Sequence, residues 1–185
     1  MQKEKKKWRG KLWYQIIAPK LFGQTVIGET LIADPNLLIG RVVEVNLMDL
    51  IANYDKYYIK IFFKIKETDA NKAFTEFFGF DLTKDYIARV VQPYTARVDT
   101  NDIVQFVDSK LRIKTIAICN RLVQTSVDKA IRKAISQMLK EWAKDSKTEQ
   151  FLKTFIDGEL QQKIKKDISK IYPLKFFEIR KCEII

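Results

Sequence analysis

Acid–base chemistry in this chain would have to rest on carboxylates, because it contains no histidine. Asp81 and Asp85, four residues apart around the start of a helical stretch, have the spacing to approach each other. Aspartates at a helix N-terminus ordinarily act as capping groups favoured by the dipole, so the pair alone does not make a catalytic site. Without histidine, no Ser–His or Cys–His nucleophile can be built. Cys119 and Cys182 are the only thiols and have no CxxC spacing, so a metal site lacks ligands. A disulfide framework is not expected in so large a core, and the chain reads as intracellular. Cys119 lies in an apolar run and reads as a buried small residue. "GQTVIGET" (23–30) nearly spells a phosphate-binding loop, but Glu29 stands where the lysine is needed and would repel phosphate. Its two glycines read instead as turns between strands. No catalytic residue, metal or cofactor is expected.

Charge points elsewhere. The 185 residues carry a formal net charge of +11, and a chain this basic implies a polyanionic partner, nucleic acid or an acidic membrane surface. The charge is uneven: residues 1–20 hold seven Lys/Arg against one acid, and residues 110–147 hold ten against three. Residues 160–181 hold seven against two, whereas residues 21–109 hold nine against thirteen. Basic ends around a mildly acidic middle describe a binding footprint better than an evenly mixed soluble surface.

"KKKWRGKLWYQII" (5–17) opens that footprint. Arg9, Gly10, Lys11 and Gln15 interrupt its apolar run, so it is not an export signal. No later segment approaches 18 uninterrupted apolar residues. Residues 1–10 have the composition of a basic flexible arm, with Lys5, Lys6, Lys7 and Arg9 placed for phosphate and Lys11 just beyond it. Trp8 is available to stack, and Trp13 is expected to anchor the arm to the core.

Periodicity supplies the elements that would position these groups. "LWYQII" (12–17) reads as a strand stopped by Ala18-Pro19. "GRVVEVNLMDL" (40–50) alternates, with Val43, Val45 and Leu47 on one face. "KYYIKIFFKIK" (56–66) places Ile59, Ile61, Phe63 and Ile65 opposite Lys60, Lys64 and Lys66, and "ANYD" between the two predicts a hairpin. "KAFTEFFGF" (72–80) is a third strand. Residues 83–92 predict a short helix capped by Thr83 and ended by Pro93. "ARVDTNDIVQFV" and "KLRIKTIAIC" predict a second hairpin. The period then changes: Val127, Ile131, Ile135, Met138, Leu139 and Trp142 recur at helical spacing, with Thr125 and Asp128 as a capping box. A further helical stretch (149–171) is interrupted at Gly158 and halted by Pro173, before a last strand, "KFFEIRKCEI". The class is α+β with a mostly antiparallel sheet or barrel and a long helical C-terminal part. One α+β domain is expected over 11–185, strand-rich to 120, helix-rich over 121–172 and closing on a strand at 174–183.

Two surfaces stay open to two readings. Tyr57, Tyr58, Phe62 and Phe63 interleave with lysines as in a base-stacking platform. Phe63 shares the isoleucine face, which leaves Phe62 and Tyr58 on the lysine side, either to stack on bases or to pack in a core or interface. On the 126–144 helix, Lys129, Arg132, Lys133, Lys140 and Lys144 face only Asp128 and Glu141, which fits a phosphate-contacting face and a solvated face equally.

Several short stretches, taken in order, resemble one family, the small-subunit ribosomal proteins of archaea and eukaryotes called eS-one or S-three-Ae. They are "WY…AP…F" (13–22), "IGET" (27–30), "DP…LIGRVVEV.L.DL" (34–50) and "G.DLT.DY" (79–86). Further on come "T.R.D" (95–99), "QTS…AIRK" (124–133), "IYPL" (171–174) and "IRK" (179–181). The resemblance covers nearly the whole chain. It implies a β-rich α+β protein on the small-subunit platform, bound to the 3′ region of the small-subunit RNA near the messenger exit. Neighbouring ribosomal proteins and, in eukaryotes, a translation initiation factor would lie close by, and no catalysis is implied. The basic "T.R" and "AIRK" elements fall on Thr95, Arg97, Ala130, Ile131, Arg132 and Lys133. Members of the family usually carry a run of arginines where this chain has "VVQPY" (90–94). Either those contacts are weaker here or a base such as Arg89 substitutes. The chain stops soon after "IRK", without the longer tail of eukaryotic relatives, which suggests an archaeal source.

The expected function is therefore that of a structural constituent of the small ribosomal subunit in the cytoplasm, binding RNA through phosphate contacts and shape. The expected RNA-binding residues are the arm bases with Trp8, then Lys11, Arg89, Arg97, Arg121, Lys129, Arg132, Lys133, Arg180 and Lys181. A stand-alone module acting on messenger RNA or tRNA is the alternative. A membrane-surface protein is disfavoured, since no strongly hydrophobic amphipathic helix adjoins the arm.

Overall fold

The computed structural model describes residues 10–51, 53–144 and 146–185, and its packing divides into two compact units, one ending at Phe78 and one running from Gly79 to Ile185. The expectations placed on residues 5–9 lie outside the described residues. The architecture is α+β, with eight strands and five α-helices among the described residues.

In the first unit, β1 (Leu12–Ile17) pairs antiparallel with β2 (Val26–Ile32) and parallel with the start of β5 (Lys72–Leu82). β3 (Val42–Asn46) pairs antiparallel with β4 (Ile59–Asp69), as the alternation predicts. Ile59, Ile61, Phe63 and Ile65 are all buried, and Phe22 meets the Phe63 ring edge-on at 5.4 Å. Tyr14, Ile16, Ile32, Leu38, Ile65 and Ala73 form a continuous core cluster.

Three details differ from the sequence reading. The strand over 40–50 ends at Asn46, and Leu47 begins α1 (Leu47–Ile51), fully buried. Leu47, Leu50 and Ile51 also fit helical spacing, so alternation could not mark the boundary. The link to β4 is accordingly longer than "ANYD". Gly28 is not a turn residue but lies inside β2 opposite Ile16, whereas Gly23, at φ +72°, does turn the chain.

In the second unit, the end of β5 leads into α2 (Lys84–Val90), β6 (Arg97–Gln105), β7 (Lys110–Cys119), α3 (Thr125–Lys144), α4 (Thr148–Asp157), α5 (Glu159–Ile168) and β8 (Leu174–Ile184). The strands run in the order β5–β8–β7–β6, antiparallel throughout. β6 and β7 form the expected hairpin, with Thr100 and Thr115 hydrogen-bonded across it at 2.8 Å. α3 packs on β6, where the Ser136 hydroxyl donates to Asp102 at 2.8 Å. Phe151, buried among Phe80, Phe106, Trp142 and Phe155, centres an aromatic cluster. Gly158 breaks the C-terminal helical stretch as expected, because its φ of +81° is cheap only for glycine and its N–H closes on Thr154 and Phe155. The two expected caps are not formed by side chains. Thr83 precedes α2 without a capping hydrogen bond, and Thr125 is already the first residue of α3.

Gly79 matters through space rather than angle. A Cβ there would stand 2.3 Å from the Cys182 carbonyl oxygen of β8. Gly79→Ala is expected to cost about 2 kcal/mol by forcing the strands apart. Gly28→Ala, with nothing within 4 Å of its Cβ, is the control. Thermal unfolding of both variants checks this, and equal shifts would refute the close approach.

Candidate nucleic-acid interface

Two basic surfaces emerge in the second unit, each from a simple periodicity. On α3, Lys129, Lys133, Lys140 and Lys144 are separated by four, seven and four residues, which puts them on one exposed stripe. Ile131, Ile135, Leu139 and Ala143 occupy the buried side. Arg132 lies off the lysine stripe. Its guanidinium forks onto Asp128 one turn earlier, with Nε to Oδ1 at 3.2 Å and Nη2 to Oδ2 at 3.1 Å. Asp128 therefore serves Arg132 instead of a capping box. Among the described residues, the four lysines of the stripe form no ion pair.

On the sheet, β7 alternates buried Leu111, Ile113 and Thr115 with Lys110, Arg112 and Lys114. The register sets Lys114 opposite Asn101 of β6 and Lys181 of β8, and sets Arg112 opposite Ile103 and Glu183. Asp102, bonded to α3, alternates with these β6 positions, so the basic row lies on the face turned away from α3. Arg97 sits on the same face, opposite Ile118, and holds Asp99 through Nη2 at 2.8 Å and Nε at 3.1 Å. Lys181 pairs closely with Glu183 and lies 4.0 Å from Asp81.

These neighbours leave their mark on the carboxyls. The Lys181 hydrogen bond, aided by the charges of Lys181, Lys114 and Arg112, holds the Glu183 carboxyl below its ordinary range. Burial pushes the Asp81 carboxyl up, against the pull of Lys181 and Arg180. Burial also pushes both cysteine thiols up. The two thiols are fully buried and free.

The expected residues thus fall into distinct groups. Arg97 and Lys181 lie on one face of the sheet, Arg180 and Arg97 line one groove, and Lys129 and Lys133 share the α3 stripe. Arg132 and Arg97 already hold carboxylates. Arg89 lies exposed in the last turn of α2, Arg121 lies exposed in the loop before α3, and Lys11 is half-buried ahead of β1. Arg112 and Lys114 belong to the basic face but were not among the expected residues. Their strict alternation with Leu111 and Ile113 is the signal that could have found them. Tyr94 was also passed over: 84 % exposed, at φ +62°, it presents an open ring in the loop where the family's arginine run is absent.

Three aromatic expectations change or narrow. Trp13 is 60 % exposed instead of packed in the core, because β1 turns Tyr14 and Ile16 inward and Trp13 outward. Tyr58 is buried just before β4 begins, against Tyr57, and so is removed from the lysine side. Phe62 stays half-exposed opposite Glu44, while Lys60 bonds Glu44 and Lys64 lies 5.8 Å from the Phe78 ring centre. That face is laced by its own pairs.

Among the described residues, no group of three or more Cys, Asp or Glu side chains could hold a metal ion. No described helix is long and apolar enough to cross a membrane.

Comparison with known proteins places this sequence in a family. The model of the Ribosomal S3Ae family matches residues 1–185. The chain is 35 % identical over 184 residues to the small ribosomal subunit protein eS1 of Methanopyrus kandleri, covering 97 % of this chain and 87 % of that protein. It is 36 % identical over 185 residues to eS1 of Methanothrix thermoacetophila, covering 100 % and 88 %. Against eS1 of Methanocaldococcus jannaschii it is 32 % identical over 186 residues, covering 100 % and 84 %. The ordered short motifs read from the sequence, the α+β architecture and this end-to-end match agree: the chain belongs to the Ribosomal S3Ae family.

Proposed function

We infer that this protein is a structural constituent of the small ribosomal subunit, acting in translation in the cytoplasm by binding ribosomal RNA and not by catalysing a reaction. The observation that carries the reading is the end-to-end likeness to proteins named for the small ribosomal subunit. The family resemblance adds a seat on the platform near the messenger exit, beside other ribosomal proteins and within reach of translation initiation factors. Physical chemistry supports an RNA partner. An unpaired lysine stripe on α3 offers point charges to phosphate where self-repulsion is otherwise unrelieved, and the basic row on the β6–β7–β8 face adds Arg112 and Lys114 beside neighbours that already hold carboxylates.

Sedimentation tests the reading directly. The protein should co-migrate with small subunits through a sucrose gradient and stay with them at high salt, as an integral component does. A stand-alone module acting on messenger RNA or tRNA would be stripped off.

The α3 stripe makes a second expectation specific. Lys129→Gln with Lys133→Gln should flatten the log K against log[salt] slope for small-subunit RNA by about 1.4 units, taking 0.7 per phosphate contact. Arg132→Gln should change it little, because that guanidinium already holds Asp128. Filter-binding titrations over a salt series measure both. A larger loss at Arg132 would mean that it leaves Asp128 for RNA.

A further inference from the structure

A groove of about 550 Å³ opens in the second unit between α2 and the edge of the basic sheet face, within the size range of small-ligand sites. Its apolar wall is formed by Ile87, Ala88 and Val91, and Asp81, Lys84, Arg97 and Arg180 supply its charges. None of the α2 residues is fully buried: Tyr86 meets the Phe176 ring of β8 at 6.0 Å, while Ile87 and Val91 stay half-buried and Ala88 exposed, so apolar surface is left on the groove wall. Arg180 forms no ion pair among the described residues. Arg97 gives two of its donors to Asp99, which leaves part of a five-donor guanidinium for another acceptor. An apolar wall beside two guanidiniums suits a flat ligand that carries an anion.

Asp81 narrows the ligand further. An ionised carboxylate only accepts hydrogen bonds, so whatever meets it must present donors. Guanine carries two adjacent donors, N1–H and the N2 amine, which match the two carboxylate oxygens. Adenine and cytosine set an acceptor beside their single amine, and uracil flanks its one N–H with two carbonyls. Each of these would turn a lone pair towards Asp81. Burial already disfavours the charge on Asp81, and paired donors would relieve that cost.

We propose that this groove binds one unstacked guanosine of the RNA, with its phosphate on Arg97 and Arg180, its base against Ile87, Ala88 and Val91, and its Watson–Crick edge donating to Asp81. The proposal rests on the RNA-binding reading above and adds to it a base preference. Single-stranded RNA is recognised in this way, by splayed bases read on their edges.

The test uses the full chain and three unstructured RNA hexamers: all-uridine, and the same with a central guanosine or a central adenosine. The guanosine hexamer should bind about tenfold or more tightly than the other two, as a bidentate base contact allows. Asp81→Asn should abolish that preference while leaving the salt slope unchanged. Ala88→Trp, which fills the groove from an exposed position, should reduce the guanosine hexamer to the affinity of the all-uridine one. Equal binding of the three hexamers, or a preference that survives both substitutions, overturns the proposal and leaves the RNA-binding reading standing. Competition by guanosine 5′-monophosphate at concentrations equal to the hexamer would assign the groove to free nucleotide and overturn its assignment to RNA. If neither the hexamers nor small-subunit RNA binds, the broader reading has failed first.

Discussion

Replacing Lys5, Lys6, Lys7 and Arg9 by glutamine should weaken binding to small-subunit RNA on the order of 10²-fold or more at 0.1 M salt and flatten the salt slope by about 3 units. Four of the seven bases in residues 1–20 are removed by that change, against a single acid in the same stretch. Each base that neutralises a phosphate releases a condensed counterion, and roughly 0.7 per contact is the single-strand value used here. The slope is the diagnostic quantity, because an affinity loss alone would also follow from misfolding. Trp8→Ala separates charge from stacking. Losing a base-stacked ring costs about 1–3 kcal/mol and should leave the slope where it was. An unchanged slope in the glutamine variant would mean that these bases meet no phosphate. The exposed ring of Trp13 then becomes the next candidate on this part of the chain.

Truncating Phe151 should be the most damaging single change to the fold. Its ring is fully buried, 5.3 Å from Phe106, 5.7 Å from Trp142 and 6.4 Å from both Phe80 and Phe155. It therefore joins α3, α4, β5 and the end of β6 into one aromatic core. Phe151→Ala removes the transfer free energy of the ring and leaves a cavity that four other large side chains cannot easily fill, for a loss of about 4 kcal/mol. In urea, with a slope of about 1–3 kcal/mol per M, the midpoint should fall by about 2 M. Phe151→Leu should lose clearly less, since most of the volume is kept. A loss under about 1 kcal/mol for Phe151→Ala, with the fold intact, would show that the cluster repacks. Loss of RNA binding in that variant would say nothing about the interface, because the basic sheet face and the α3 stripe both depend on this core for their positions.

Regular periodicity survives translation into three dimensions, and it determined much of this protein in advance. The alternation of Ile59, Ile61, Phe63 and Ile65, the β6–β7 hairpin, the long α3 and the break at Gly158 are all local facts. Hydrophobic spacing or a backbone angle open only to glycine decides them. The absence of histidine and the basic ends likewise bounded the chemistry before any coordinates. The ordered short motifs were enough to name the family.

What the sequence could not carry is which charges are already spent and which chain segments meet. Arg132 and Lys133 are neighbours in sequence and alike in charge, yet only Arg132 finds a carboxylate one helical turn away. Arg97 lies far from Lys181 in the chain, and strand register alone gathers the two with Arg112 and Lys114 on one face. Trp13 and Leu47 show the same limit. An apolar residue can satisfy two periodicities, or stand on the outer face of a strand, and only the elements packed around it settle the outcome. Pairing and register are long-range choices made by burial, which is a property of the folded whole and leaves no mark at the single residue.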